Sequence, residues 1–200
     1  MIESLLYSGA RPIATGQLTY SMSGNFIFTV PNNVTELCVY AQAGGGGGGY
    51  GNTSYRGLAG TPGSIGKNGY LNAIPVTPGE TLTVTIGSGG NTPGPGSATT
   101  LSRGGTVLLT VAGGAAGSNA TSTGLSERNP GYPGPAAPAV PGATGLGTGN
   151  LAPGSGGNGG KGYGFGGGYT ASKGIAGAMR IIWGKNRAFP STNVADMKVV

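Results

Sequence analysis

Side chains that could perform acid–base, nucleophilic or metal chemistry are scarce in this chain. It contains no histidine, which removes the commonest general base and the commonest transition-metal ligand. The carboxylates lie far apart in sequence, at Glu3, Glu36, Glu80, Glu127 and Asp196. The one cysteine, Cys38, has no candidate partner base and stands in an apolar run, where it is best interpreted as a small buried hydrophobe. We therefore expect no enzymatic activity, no metal and no cofactor.

The remaining candidates for chemistry are binding side chains in glycine-rich stretches. Tyrosine on a glycine, serine and asparagine background is the composition of recognition loops, since a rigid ring stands on an adaptable backbone. The candidate receptor-binding residues are Tyr50, Tyr55, Arg56, Arg128, Asn129, Tyr132, Tyr163, Phe165 and Tyr169. An alternative stays open for each tyrosine, namely that its ring lies flat over the glycine tracts and shields them.

Charge patterning argues against nucleic acid and membranes as partners. The net charge of +6 comes from Lys and Arg residues spread along the chain with no dense run. A nucleic-acid reader would show a basic stripe with interleaved aromatics, and only Arg103-Gly104-Gly105 hints at one. No apolar run approaches the length of a membrane span, and the first residues lack a signal-peptide pattern. We expect synthesis in a cytoplasm without a signal peptide, and no membrane insertion.

The candidate loops must be positioned by the rest of the chain, which holds 46 glycines and 14 prolines in 200 residues. The glycines repeatedly follow short strand-like runs. Residues 38–43 precede a polyglycine tract, residues 82–86 precede Gly87, and residues 107–111 precede Gly113-Gly114. A disordered linker would have no reason to carry a strand ahead of each tract. This arrangement predicts a β base with a glycine-built layer standing on it.

Hydrophobic alternation at every second residue predicts the strands of the base. Alternation runs through residues 18–43 with a turn at Asn32-Asn33, and returns in residues 71–86 after the first glycine block. Further strands are predicted at residues 107–111 and 179–183. No stretch has the 3.6-residue spacing of a helix. The predicted class is mainly β: a small β-sandwich-like base, with glycine-rich loops forming a polyglycine-II helix bundle and essentially no α-helix.

The polyglycine-II prediction rests on a strict spacing of three. Glycine recurs at Gly57, Gly60, Gly63, Gly66 and Gly69, and shorter pieces of this pattern recur in residues 131–177. Three residues per turn is the period of a polyproline-II-type helix, which has no internal hydrogen bonds. Glycine on one side would let neighbouring helices approach until their backbones bond. Collagen needs a longer repeat, whereas a flexible linker stays an alternative for residues 113–160.

We divide the chain into three parts. Residues 1–16 form an N-terminal attachment arm, residues 17–183 a single glycine-rich β/polyglycine-II domain, and residues 184–200 a C-terminal tail. The candidates for attachment to a larger assembly are large apolar side chains in or beside the arm and the tail, namely Ile2, Leu5, Leu6, Tyr7, Trp183 and Phe189.

Three stretches carry a family resemblance. Residues 25–31, followed by residues 34–39 and a polyglycine run, resemble the start of glycine-rich domains in bacteriophage tail proteins. Residues 76–87 resemble the second strand pair of the same domains. Residues 177–184 with residues 187–193 resemble the C-terminus of many such phage proteins. More loosely, the chain resembles the tip adhesins of long tail fibres in T-even-type phages, which stack polyglycine-II helices.

The resemblance implies a virion protein of the tail fibre or tail tip that binds a host cell-surface receptor. By that likeness the glycine tracts are scaffold, and the loops between them read an outer-membrane protein or a glycan. The partners would be other tail or fibre proteins and the receptor, with the chain either a homotrimer or a monomeric cap on a trimeric fibre. Two alternatives stay open: a decoration or connector protein of the virion without adhesive function, and an ice-binding polyglycine-II protein.

Overall fold

The computed structural model describes residues 15–51, 60–120 and 171–189. Within them the chain forms eight β-strands and no helix, which confirms the mainly β class. The strands are β1 (Gly16–Tyr20), β2 (Gly24–Thr29), β3 (Glu36–Gln42), β4 (Asn68–Pro75), β5 (Thr81–Ile86), β6 (Thr99–Arg103), β7 (Thr106–Val111) and β8 (Ala178–Trp183).

The strands form two four-stranded sheets in which all neighbours are antiparallel. The first sheet has the order β1-β8-β3-β4 and the second the order β2-β5-β6-β7. Side chains of both sheets share one core, in which Val39 and Ile181 of the first sheet cluster with Leu82 and Leu101 of the second. The sheets therefore bury their apolar faces against each other, as the predicted sandwich-like base requires.

The two central strands of the first sheet, β3 and β8, are buried on their outer face as well. The alternation that predicts Leu37, Val39 and Ala41 as core is confirmed, because all three are fully buried. Cys38 and Tyr40 point to the other face, where they cluster with Phe189 of the segment after β8. The buried position predicted for Cys38 is thus confirmed, and one end of the C-terminal segment covers it.

Several sequence-based strand boundaries need correction. Strand β6 was not predicted, because Leu101 is its only large apolar side chain. Strand β4 begins at Asn68, so Gly69 of the three-residue series lies in a strand and pairs with Ala41. Met22 lies beyond β1 and is 74 % exposed, instead of continuing the alternation.

The Arg103-Gly104-Gly105 triplet is a turn with one ion pair, and no basic stripe surrounds it in the described residues. Gly104 and Gly105 have φ of 51° and 87° between β6 and β7. Positive φ at both central residues is the geometry of a two-residue hairpin turn that glycine favours. Arg103 pairs with Glu80 and donates to the Pro75 carbonyl at 2.5 Å.

Two of the four edge strands of the described sheets, β4 and β7, each carry a β-bulge. In β4 the pairing with β3 shifts between Leu37 and Val39, and the extra residue Ala73 has φ of 55°. In β7 the pairing with β6 shifts between the partners of Leu101 and Ser102. Bulges disrupt the regular hydrogen-bonding row of an edge strand.

The pairing register gives the domain a polarity. Strands β3, β5 and β7 end, and β4, β6 and β8 begin, at the same end of the sandwich, which we call the tip end. The turns between β4 and β5 and between β6 and β7 lie at the opposite end, which we call the base end. Gly16 pairs with Trp183, so β1 begins and β8 ends at the base end.

Candidate binding surface at the tip of the glycine layer

The chain makes three excursions from the tip end, each inserted between two consecutive strands. They connect β3 to β4, β5 to β6, and β7 to β8. We call their described parts the glycine layer; it comprises residues 43–51, 60–67, 87–98, 112–120 and 171–177. All three excursions leave and return at one end, so the layer stands on the sandwich.

Residues 43–49 are the centre of the layer, and their backbone N–H groups reach three neighbours in rotation. Every third amide bonds to residues 61–67, namely Ala43 to Lys67, Gly46 to Ser64 and Gly49 to Thr61, each at 2.9 Å. The amides one residue further along bond to residues 94–97, namely Gly44 to Ser97 at 3.1 Å and Gly47 to Gly94 at 2.8 Å. The remaining amides bond to residues 172–175, namely Gly45 to Ile175 at 2.9 Å and Gly48 to Ser172 at 3.0 Å.

Carbonyl groups of the central segment accept bonds from two further segments. Gly114 donates to Gly44 and Gly117 donates to Gly47, each at 2.8 Å. Gly90 donates to Gly45 at 2.8 Å. The bonding repeats every three residues instead of every two, so it is no sheet ladder, and three residues per turn is the period of a polyproline-II-type helix.

Glycine is required where these segments meet. A Cβ atom on Gly46 would overlap the Ala115 carbonyl, and one on Gly47 would overlap the Asn91 carbonyl. Because the obstacles are backbone atoms of neighbouring segments, no side-chain rearrangement would make room. The non-glycine residues Ser64, Ala115 and Ser118 are exposed. Glycines therefore form the interior of the layer, and small residues such as serine and alanine lie on its surface.

Tyr50 directly follows the central segment and is held by residues 87–98 and 112–120 of the glycine layer. Its hydroxyl donates to the Thr92 carbonyl at 2.5 Å and lies 3.2 Å from the Thr92 Oγ1. Its N–H donates to the Asn119 Oδ1 at 2.9 Å, and its carbonyl accepts from Ala120 at 2.8 Å. The side chain is still 43 % exposed. The arrangement presents a fixed aromatic ring to solvent at the tip.

Most predicted receptor-binding residues lie outside the described residues. Tyr55 and Arg56 fall between Gly51 and Gly60, whereas the others fall between Ala120 and Ala171. Gly51, Gly60, Ala120 and Ala171, which border these two gaps, lie in the distal part of the layer, level with Gly48 to Tyr50. The residues outside the description are Tyr55, Arg56, Arg128, Asn129, Tyr132, Tyr163, Phe165 and Tyr169. Their role stays a prediction.

Two predicted attachment residues are described, and both are buried within this chain. Trp183 is 5 % exposed, and its ring centroid lies 5.8 Å from that of Phe28. Phe189 is 3 % exposed and packs on Tyr40 at 5.7 Å between centroids. Neither ring forms a docking surface in this conformation, so any attachment role would be indirect, through the C-terminal segment that they hold. Ile2, Leu5, Leu6 and Tyr7 lie outside the described residues.

The base end carries charged groups and a shallow cleft. An opening of about 420 Å³ is lined by Thr35, Glu36 and residues 184–188. Arg187 is buried there and donates to the Gly16 carbonyl at 2.5 Å. The Cys38 thiol donates to the Arg187 carbonyl at 3.2 Å. These contacts fasten the C-terminal segment to β1 and β3.

The described residues contain no cluster of three His, Cys, Asp or Glu side chains that could hold a metal ion. Burial raises the pKa of the Cys38 thiol above its ordinary value of 9.0, which makes the thiolate less available. Burial also raises the pKa of Tyr20 and of Tyr40. No helix in this part of the chain is long and apolar enough to span a membrane.

Sequence reasoning missed the partners that fix Tyr50. Thr92 and Asn119 lie 42 and 69 residues away from it in sequence. Only the parallel course of the three outgoing segments brings them together. The sequence signal that could have identified these partners is that a glycine tract follows each of β3, β5 and β7, so residues at similar distances from the three strand ends can be expected to lie side by side.

Comparison with known proteins identifies the domain. A family model described as a glycine-rich domain matches residues 20–192. The match covers all eight strands except the first residues of β1, and the whole described glycine layer. No curated protein matches the chain.

Proposed function

The chain belongs to the glycine-rich domain family, and we propose that it is a bacteriophage virion protein of the tail fibre or tail tip that binds a receptor on the host cell. In this proposal the base end attaches to other tail or fibre proteins. The tip of the glycine layer, with the loops joined to it, contacts an outer-membrane protein or a glycan. The protein is made in the host cytoplasm and works in the virion.

The polarity of the domain is the single observation that carries this proposal. Strand β1 begins and β8 ends at the base end, where Gly16 pairs with Trp183, so a connection to a larger assembly can enter there. Tyr50 lies at the opposite end, exposed and fixed by Thr92 and Asn119. A rigid aromatic anchor costs little conformational entropy on binding, which suits a recognition surface.

We further propose that the glycine layer is a polyglycine-II lattice with residues 43–49 as its central helix. The rotation of hydrogen bonds among three neighbours supports this assignment. Hydrogen exchange tests it, because each amide from Ala43 to Gly49 donates to another segment. All seven amides should exchange slowly and to a similar extent. Fast exchange at every second amide, or throughout, would contradict the lattice.

The adhesive role is tested by competition. The purified chain, added to cells of the phage's bacterial host, should reduce adsorption of the intact phage in a saturable manner. An antibody against the chain should label the distal end of the tail in electron micrographs. A chain that labels the particle elsewhere and does not compete would support the decoration or connector alternative. Thermal hysteresis without competition would support the ice-binding alternative.

A further inference from the structure

Strand β2 differs from the bulged edge strands β4 and β7. The bulges in β4 and β7 break the regular row of backbone groups at those edges. Strand β2 pairs with β5 over six consecutive residues without a shift, and it contains no proline and no charged residue. Such an edge lacks the usual features that prevent pairing with another strand.

The outward-facing backbone groups of β2 follow from its register. Val30 donates to the Glu80 carbonyl at 2.8 Å, which continues the pairing of β2 with β5. Hydrogen-bonded positions alternate along an antiparallel pair, so Phe26 and Phe28 bond to β5. The N–H and C=O groups of Asn25, Ile27 and Thr29 therefore point away from the sheet. Within the described residues, β5 is the only strand that pairs with β2.

Side chains of β2 and of the residues that flank it in sequence are apolar or neutral. Ile27 stands on the outer face of the second sheet and is 64 % exposed, although it is a large aliphatic residue. Residues 12–35 contain no Lys, Arg, Asp or Glu, in a chain whose net charge is +6. Two copies of the protein can therefore approach at this edge without the like-charge repulsion that other faces would produce.

We propose that β2 pairs antiparallel with β2 of a second copy, about a twofold axis at Ile27. This register places Ile27 opposite the partner's Ile27, so two exposed apolar side chains cover each other. It also places Asn25 opposite the partner's Thr29, and Thr29 opposite the partner's Asn25. The outward N–H and C=O groups of these residues then bond across the axis, and the two second sheets join into one continuous sheet.

The strength of this contact follows from its size. A single six-residue strand pair buries less than the roughly 1,200 Å² of a standard stable interface. The dimer therefore forms reversibly with protein concentration. Copies held close together in an assembly would pair more completely, because tethering raises their effective concentration.

The test is sedimentation of the full chain over a range of concentrations, together with hydrogen exchange. We expect reversible dimers, and amides of Asn25, Ile27 and Thr29 that become protected as concentration rises. Those of Phe26 and Phe28 should be protected throughout. Ile27→Lys places two like charges opposite each other at the axis and should abolish the dimer. Val107→Lys, which changes an exposed aliphatic residue on edge strand β7, is the matched control and should dimerise like the wild type.

Two outcomes would overturn the proposal. One is a chain that stays monomeric and shows no concentration-dependent protection of the three amides. The other is a dimer that Ile27→Lys leaves intact, because its contact must then lie elsewhere. The double variant Asn25→Lys/Thr29→Glu guards against a misfolded single variant. It places opposite charges across the axis twice and should restore or strengthen the dimer, whereas a dimer weakened by it would also contradict this register.

Discussion

The carboxamide of Asn72 makes two hydrogen bonds with the backbone of Phe189. Its Nδ2 donates to the Phe189 carbonyl at 2.8 Å, and its Oδ1 accepts from the Phe189 N–H at 3.0 Å. Asn72 lies in the bulged part of β4, so the bulge and the C-terminal segment meet at this contact. One side chain thus satisfies both backbone groups of a residue whose ring is buried against Tyr40.

Replacing Asn72 should loosen the C-terminal segment. Asn72→Ala leaves the Phe189 N–H and carbonyl without their partner, which should cost about 1–3 kcal/mol in the free energy of unfolding. Urea denaturation measures this loss. Asn32→Ala, in the exposed turn after β2, should change stability by less than about 0.5 kcal/mol. Equal effects of the two variants would show that the Asn72 contact contributes nothing.

A methyl group on Gly47 should disrupt the glycine layer. It would overlap the Asn91 carbonyl, and Gly47 also bonds to Gly94 and Gly117 through its own backbone. Gly47→Ala should therefore cost more than about 3 kcal/mol, at the high end of the range for overpacking.

Gly104→Ala is the matched control for this substitution. Its Cβ would meet open space, but its φ of 51° is unfavourable for alanine. The expected cost is roughly 1–2 kcal/mol from backbone strain alone. Thermal or urea unfolding compares the two variants, and a Gly47→Ala variant as stable as Gly104→Ala would contradict the close packing of the layer.

The bulge in β4 should accept glycine. Ala73 has φ of 55°, a conformation that L-residues other than Asn and Asp rarely adopt. In Ala73→Gly the relief of this strain offsets the entropy cost of glycine, so stability should be unchanged or rise by up to about 1 kcal/mol. Ala41→Gly, in the buried and regularly paired part of β3, should cost roughly 1–2 kcal/mol. Denaturation curves in which both variants lose equally would argue against strain at Ala73.

Alkaline pH should destabilise the domain through Cys38, Tyr20 and Tyr40. Burial raises the pKa of Cys38 in the folded chain above 9.0, so the folded state favours the neutral thiol. Above pH 9 the unfolded chain loses this proton first, and the stability present at neutral pH falls as pH rises through the folded-state pKa. Unfolding measured between pH 7 and pH 11 should show this fall, with a shallower slope in Cys38→Ala. A wild type and variant with the same slope would exclude the thiol as a cause.

The sequence predicts those parts of the fold that local pattern controls. Alternation identifies β2, β3, β5, β7 and β8, because one face of each strand packs into the core. It misses β6, whose outward residues are threonine and serine. It also cannot predict that β1 pairs with β8, since strand order depends on contacts between residues 163 positions apart, such as Gln17 and Arg180.

The glycine pattern predicts the layer but not its arrangement. The three-residue spacing of Gly60, Gly63 and Gly66 has a structural reason, because each of these glycines packs against the central segment. Which tract lies at the centre is not visible in sequence, because every tract is rich in the same residue. Of the predicted binding residues Tyr50 alone lies in the described part, at the exposed end of the central segment. Its fixation by Thr92 and Asn119 depends on the register of three tracts.

The central claim is that the tip of the glycine layer binds the host cell, and two tyrosines allow a direct test. Tyr50 lies at the tip and is 43 % exposed, whereas Tyr70 lies in β4 and is 49 % exposed. Their exposed area is similar, so loss of a ring should affect solubility alike in the two variants. Truncating an aromatic anchor in an interface typically costs more than about 1–2 kcal/mol of binding free energy.

The measurement is binding of the fluorescently labelled, purified chain to cells of the phage's bacterial host, compared among wild type, Tyr50→Ala and Tyr70→Ala. We predict that Tyr50→Ala weakens binding about tenfold, the equivalent of 1.4 kcal/mol, while Tyr70→Ala binds like the wild type. Unchanged binding by Tyr50→Ala, or equal losses in both variants, would contradict recognition at the tip.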